Sequence, residues 1–447
     1  MIVPQARLLW WVGLVAVPCA GAAAAVGGPT RVMALIVIGT LVVAALLDAV
    51  WGYGSLDGIG VELPAVVRFA KDREGELDVR VHNPGHQRRV VRLGLPFPPP
   101  IEMTSEDLVA ELPAETEHSL LKWRCTPRKR GRYRLETCYL EGASPFGFWG
   151  VRTKVPVAAE LRVYPNLAGE RRNLAGLFLH RTTHGLHAQR QVGKGRDFEK
   201  LREYIPGDSF EDIHWKATAK RGHPITKVYQ VERTQEVYVI IDASRLSARE
   251  VANNTGDGTV TTLDRFMTAA LVMGLVAEQQ GDLFGVVTFS NRVQRFLRAR
   301  NGSAHYGACR DALYTLEPQL VNPDFDELCT TLRLRLRHRA LLVFLTSLDD
   351  PVVTESFLRN VELIRRQHLV LVNVLRTPGA QPVFADDTVA SVDDVYRQLG
   401  GHLLWHDRRE LERQLYHRGV QMAQLENEKL CVQMVADYLR VKQRQLL

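Results

Sequence analysis

The sequence predicts a multi-domain fold: an N-terminal transmembrane helical hairpin, an antiparallel β-sandwich, then an α/β domain with a long C-terminal helix. Three observations carry this. Two apolar runs without a charged residue, Leu8 to Val26 and Val32 to Leu47, open the chain. Short segments alternating polar and apolar residues follow, as half-buried strands do. From Val237 onward, continuous apolar β-rich runs alternate with helical stretches, the pattern of a mostly parallel sheet covered on both faces.

Each apolar run is long enough for a ~30 Å hydrocarbon core at about 1.5 Å rise per residue, the second reaching Trp51 if Asp48 lies near an interface. Gly27-Gly28-Pro29-Thr30-Arg31 allows only a tight connection, so the pair reads as a hairpin. Trp10, Trp11, Trp51 and Tyr53 fall where aromatic rings prefer to sit. The first run also has the pattern of a cleaved signal peptide, with Arg7 before it and alanines at 22–25. A hairpin returns the chain to its starting side, so the remainder is expected in the cytoplasm, anchored to the inner membrane.

Glu76-Leu-Asp-Val-Arg-Val-His82 alternates with period two and ends at the turn-forming Asn83-Pro84-Gly85. Arg132 to Leu140 behaves alike, and prolines at 96, 98, 99 and 100 interrupt any helix, which favours a sandwich. The six cysteines (19, 125, 138, 309, 329, 431) form no Cys-x-x-Cys pair. Cys125 and Cys138 could face each other on neighbouring strands, but in the cytoplasm they read as two buried thiols.

Strands are expected at Val237–Ile241, Phe284–Phe289, Ala340–Leu345 and Leu369–Leu375. Helices are expected near Thr261–Gln280, Ala304–Leu316, Pro323–Arg337 and Val353–Gln367, and one amphipathic helix from Arg408 to about Arg444. The chain divides as 1–55 (two transmembrane helices), 56–165 (sandwich), 166–235 (basic linker and a dense motif), 236–407 (α/β domain) and 408–447 (helix).

There is no P-loop, no Gly-x-Ser-x-Gly elbow and no His-Glu-x-x-His. Gly193-Lys-Gly195 lacks the third glycine of a dinucleotide loop. The 57 basic and 50 acidic residues give a net charge of +7, of which +6 lies beyond residue 51. Arg171, Arg172, Arg181, Arg190, Lys194 and Arg196 would attract anionic membrane lipid at about 1 kcal/mol per residue near the surface. Nucleic-acid binding is not expected, because no recognised module accompanies the charge.

The densest motif runs from Gly193 through Phe198, Leu201, Arg202, Tyr204, Gly207 and Asp208 to Ile213, Trp215, Lys216 and Ala219. It resembles the signature of the domain-of-unknown-function-58 family. Arg130-Gly-Arg-Tyr133 and Pro145-Phe-Gly147 are similar to two further elements, and two N-terminal membrane helices also fit. Asp197, Glu211 and His214 depart from the usual Glu, Arg and Asp, and Ser144 stands where Asp is usual. Arg202 and Asp208 can pair, while Phe198, Tyr204 and Trp215 can bury large areas. The segment reads either as a partner surface (Arg202, Tyr204, Gly207, Asp208, Trp215, Lys216) or as an ordered interdomain clamp.

The resemblance implies a von Willebrand A-like (Rossmann-like) α/β domain, whose sheet edge often holds Mg²⁺ through Asp-x-Ser-x-Ser, a distant Thr and a distant Asp. Here Asp242 and Ser244 remain, Leu246 replaces the last serine, Gly302-Ser303-Ala304-His305 supplies no threonine, and Thr346-Ser347 replaces Thr-Asp. So degenerate a site leaves no cofactor expected, with Mg²⁺ the one candidate. The resemblance also implies a partner, an AAA+ ATPase of the MoxR type. The expected function is a non-catalytic membrane-anchored adaptor; the alternatives are metal-dependent ligand binding at Asp242, and a hydrolase using His184 and His187.

Overall fold

The computed structural model describes every residue except 26–27, 86–87, 175–191, 207, 231–234, 253–258, 378, 384, 386–390 and 445–447; of 192–200 and 228–230 it describes the backbone. His180, His184, His187, Arg181 and Arg190 lie outside the described residues. The chain forms two compact units, Met1–Asn166 and Leu167–Leu447.

In the first unit, β1 (Ile2–Pro4) leads into the apolar helix α1 (Ala6–Ala25), and α2 (Pro29–Gly52) packs beside it. Both helices are long and apolar enough to cross a membrane. Trp10, Leu14, Leu46 and Val50 point outward, uncovered by protein. The strands then build two sheets. One has the order β1-β10-β9-β5-β7, with β3 (Val66–Ala70) alongside β10 (Trp149–Tyr164), where β9 is Gly131–Ala143, β5 Arg89–Gly94 and β7 Leu108–Leu112. The other has the order β2-β4-β8-β6, formed by Gly60–Glu62, Gly75–His82, His118–Pro127 and Ile101–Met103. Alternation places Leu77, Val79 and Val81 of β4 fully inside, against Val91, Leu93, Leu140 and Leu161 of the facing sheet. Cys125 lies on β8 and Cys138 on β9, in opposite sheets, so they are not on neighbouring strands. Both are free thiols pushed up to about 11 by burial.

The second unit holds a two-stranded ribbon, β11 (Val192–Glu203) with β12 (Ile225–Gln230), and the short helix α3 (Trp215–Arg221) between them. A six-stranded sheet follows: β13 (Glu236–Asp242), β16 (Leu283–Phe289), β17 (Val293–Arg300), β18 (Leu341–Leu345), β19 (Leu369–Leu375) and β20 (Gln421–Leu425). A small hairpin, β14 (Glu250–Ala252) with β15 (Thr259–Thr261), interrupts the run after β13. The order is β17-β16-β13-β18-β19-β20, parallel except for β17 at one edge. Helices α4 (Thr262–Gln279), α5 (Ser303–Leu313) and α9 (Leu430–Gln443) cover one face; α6 (Phe325–Arg335), α7 (Pro351–Ile364) and α8 (Val392–His417) cover the other. With both faces covered, β13 and β18 are buried almost throughout, which is why they read as unbroken apolar runs.

The expected single helix over 408–444 is instead the end of α8, the strand β20 and then α9. Gly419 takes a left-handed conformation (φ 72°) that stops α8, and β20 pairs in parallel with β19. Extended pairing satisfies the backbone of 421–425 and buries Leu425, so the tertiary sheet overrides the helical spacing.

Candidate functional site

Among the described residues, three polar clusters bear on the expected sites. The first joins the apolar helices to the sandwich. Asp48, near the end of α2, is fully buried and accepts bonds from the Ser144 hydroxyl (2.5 Å) and the N–H groups of Phe146 (2.9 Å) and Phe148 (3.1 Å). Ser144 Oγ in turn accepts from the Trp149 N–H, and the Trp149 indole donates to the Ala45 carbonyl at 2.8 Å. The Gln5 N–H donates to Phe148 O, so the start of α1 and the end of α2 meet the same Pro145-Phe146-Gly147 turn. An aspartate at 144 would set a second carboxylate against Asp48; here the helix supplies the acid and the turn supplies the hydroxyl. Asp48 was missed as a site residue because its partners lie about a hundred positions away.

The second place is the ribbon β11–β12 with α3. The Arg202 Nη2 donates to Asp208 Oδ1 at 2.6 Å, and the Ile205 N–H donates to Asp208 Oδ2 at 3.1 Å. The Ile205 N–H first, and then the Arg202 guanidinium, hold the Asp208 carboxyl below the ordinary aspartate range. Gly207 lies outside the described residues, as does the Phe198 side chain. His214 caps α3: its Nδ1 accepts from the Ala217 N–H at 3.0 Å, a bond that an aspartate carboxylate can also accept at an N-cap. Gly222 (φ 75°) closes the helix. Ile213 and Ile225 fill the interior, and Tyr204 is half-buried with its ring stacked on Phe210.

Trp215 is not buried as its size suggests. It is 69% exposed, with Lys216 exposed beside it, and Phe210 and Ile205 are 74% and 55% exposed. A two-stranded ribbon with a seven-residue helix has no further layer to enclose another indole.

The third place is the carboxyl edge of the large sheet, where the strand order reverses between β13 and β18, the position at which open α/β sheets bind ligands. Asp242 and Ser244 stand together as expected, both fully buried. The Ser244 N–H donates to Asp242 Oδ1 at 2.9 Å and Thr346 Oγ1 donates to Oδ2 at 2.7 Å. The Ser244 hydroxyl meets no partner in hydrogen-bond geometry, although it lies close enough to ease the charge on Asp242. Burial pushes the Asp242 carboxyl up, against the opposing effect of those donors. Leu246 packs in the core beneath.

Segment 302–305 is not at this edge. Because β17 runs antiparallel, Arg300 lies beside Phe284 at the amino end of β16, and His305 Nε2 is bonded to the Phe284 carbonyl. Gln319 occupies the carboxyl edge instead, its N–H donating to Ala243 O and its side chain accepting from Ser290. Asp349 and Asp350, just beyond β18, are taken by cations. Arg249 reaches Asp349 at 2.6 Å, Arg245 reaches Asp350 at 2.9 Å, and the buried Arg408 also donates to Asp349. Burial, and then Arg249, push Arg408 down to about 10. Three arginines against two aspartates oppose the arrival of a divalent cation here.

A paired apolar helix hairpin with a sandwich that is antiparallel except where β3 pairs in parallel with β10, followed by an open α/β sheet bearing the β11–α3–β12 module, defines the class of this chain. Residues 200–381 match the family described as "Protein of unknown function DUF58". Uncharacterized proteins of Mycobacterium tuberculosis and Mycobacterium bovis are 23% identical over 190 residues, 42% of this chain. The match spans 57% of the length of those relatives. Among solved structures, an aerotolerance-related membrane protein from Bacteroides fragilis is 13% identical, over 45% of this chain and 96% of that one, with a TM-score of 0.28. An uncharacterized membrane spanning protein from Vibrio fischeri is 14% identical, over 46% and 98%, with a TM-score of 0.19.

Proposed function

We propose that this chain is a non-catalytic, membrane-anchored adaptor whose β11–α3–β12 module offers a docking ledge to a cytoplasmic protein. The observation that carries the reading is the joint exposure of Ile205, Phe210 and Trp215 on a module whose own interior is already filled. Neighbouring exposed apolar groups mark interaction sites, and large aromatics anchor protein interfaces. The Arg202–Asp208 pair holds the turn that carries Ile205, which limits the ordering cost of binding.

In this reading the large sheet is a von Willebrand A-like (Rossmann-like) domain, supported by its strand order and its antiparallel edge strand. The helix pair crosses the inner membrane as a multi-pass hairpin, with the sandwich and the Leu167–Leu447 unit in the cytoplasm. The exposed rings of Trp51, Tyr53 and Phe146 gather at one end of α2, as interfacial aromatics do. Arg171 and Arg172, both exposed, add attraction to anionic lipid. The resemblance to the family names the partner as a MoxR-type AAA+ ATPase. Replacing Phe210 and Trp215 together by alanine is expected to weaken binding of that ATPase by about 2 kcal/mol or more, roughly thirtyfold in Kd. Thermal unfolding of the solubilised full chain should change little, because both rings are largely exposed and only the stack of Phe210 on Tyr204 is lost. Equal affinity in a titration of purified proteins removes the ledge from this reading.

One observation favours metal-dependent ligand binding instead: the buried, unpartnered Ser244 hydroxyl beside Asp242. That reading requires Mg²⁺ to raise the Tm of the wild type and not that of Asp242→Asn. On the adaptor reading Mg²⁺ has no effect, and Asp242→Asn is as stable as the wild type or more so at neutral pH. The folded carboxyl titrates above its unfolded value of about 3.9, so the native state binds more protons between the two. Stability contributed by this group therefore falls as pH rises through that window, and asparagine removes the fall.

A further inference from the structure

We infer that the β-sandwich carries a site for a borderline divalent cation of the zinc class, formed by His82, Glu117 and His118. His82 ends β4 and His118 begins β8, and the two are direct partners across the antiparallel ladder. Their side chains therefore stand on the same face of the sheet at the closest cross-strand spacing. The two Nδ1 atoms lie 3.3 Å apart, with ring centroids separated by 4.8 Å and planes tilted by 33°. Glu117 Oε1 lies 3.6 Å from His82 Nε2, and the Asn83 N–H holds the Glu117 carbonyl at 2.7 Å. One ligand atom from each of the three residues lies within 4.8 Å of the other two.

The spacing is informative. Tetrahedral zinc with bonds of about 2.0–2.1 Å sets neighbouring ligand atoms about 3.3–3.4 Å apart. The Nδ1 pair already has that separation, held by a backbone ladder instead of by flexible loops. Without an ion, two neutral imidazoles meeting through Nδ1 have to share one proton, whereas a cation takes both lone pairs. Glu117, half exposed, needs only a side-chain rotation to become the third ligand, leaving the fourth position to water. Imidazole and carboxylate together favour Zn²⁺, Co²⁺ or Ni²⁺ over Mg²⁺. Cys125 and Cys138 do not compete, because burial keeps both thiols protonated.

The test uses the full-length chain in detergent, stripped of metal, with ZnCl₂ as titrant in calorimetry and CoCl₂ as a spectroscopic probe. The wild type is expected to bind one Zn²⁺ equivalent more than His82→Ala/His118→Ala, and to show Co²⁺ d–d bands that the double variant lacks. His184→Ala/His187→Ala controls for histidines elsewhere and should retain that equivalent. Glu117→Gln should bind it at least tenfold more weakly. If a correctly folded double variant binds as many equivalents as the wild type, the pair is only a cross-strand hydrogen bond and the site is withdrawn. Should the double variant unfold, Glu117→Gln decides: unchanged affinity overturns the assignment.

Discussion

Replacing Asp282 by alanine is expected to destabilise the Leu167–Leu447 unit by about 3–5 kcal/mol, the cost of removing one partner from a buried charged network. Asp282 is fully buried at the amino edge of the large sheet. Its Oδ1 accepts from the Gln235 N–H at 3.1 Å, and its Oδ2 accepts from the Tyr438 hydroxyl and from Lys442 Nζ at 2.8 Å. Lys442 also donates to the Gln280 carbonyl at 2.9 Å. One carboxylate thus ties the entry of β13, the turn after α4 and the last helix α9. Alanine leaves the Tyr438 hydroxyl buried without an acceptor and Lys442 without its counter-charge. Tyr438→Phe removes only one donor and should cost about 1–2 kcal/mol. Urea unfolding followed by circular dichroism orders the two variants; equal losses would show that the charge is not the main contribution.

The second large effect is expected at Asp48. Asp48→Ala leaves the Ser144 hydroxyl and the N–H groups of Phe146 and Phe148 without their acceptor, at about 1–3 kcal/mol for each donor left buried. A loss of about 3 kcal/mol in the Met1–Asn166 unit is the expected outcome, read from thermal unfolding in detergent. Limited proteolysis should cut after α2 sooner than in the wild type. Ser144→Asp is also expected to destabilise, by crowding two carboxylates. Combining Asp48→Ser with Ser144→Asp exchanges the two groups and should recover part of the loss. No recovery would mean that the acid is required on the helix side.

Much of the architecture was legible because burial leaves a one-dimensional trace. A strand covered on both faces must be apolar at every position, so β13, β16, β18 and β19 announced themselves, and α4 to α7 followed within a few residues. Two runs without charge became two helices long and apolar enough to cross a membrane. The C-terminal segment was misread because Leu411, Leu415, Leu425 and Leu439 match helical spacing, whereas β20 exists only because β19 offers an unpaired edge. The misplaced 302–305 loop has a similar cause: the direction of β17 is a property of pairing, not of composition.

The candidate sites divide along the same line. Arg202 with Asp208, and Asp242 with Ser244, are close in the chain, and local geometry brought each pair together. The exposure of Trp215, the capture of Asp349 by Arg249 and Arg408, the union of Asp48 with the Ser144 turn and the pairing of His82 with His118 all join or uncover residues through long-range packing. The sequence by itself determined which segments are apolar, which alternate and which motif they carry, because those follow from desolvation acting on each segment alone. Only the tertiary structure decided which strand edges meet, which charges cancel and which aromatic rings remain outside. Those outcomes depend on register and on the number of covering layers, and neither is written in any single segment.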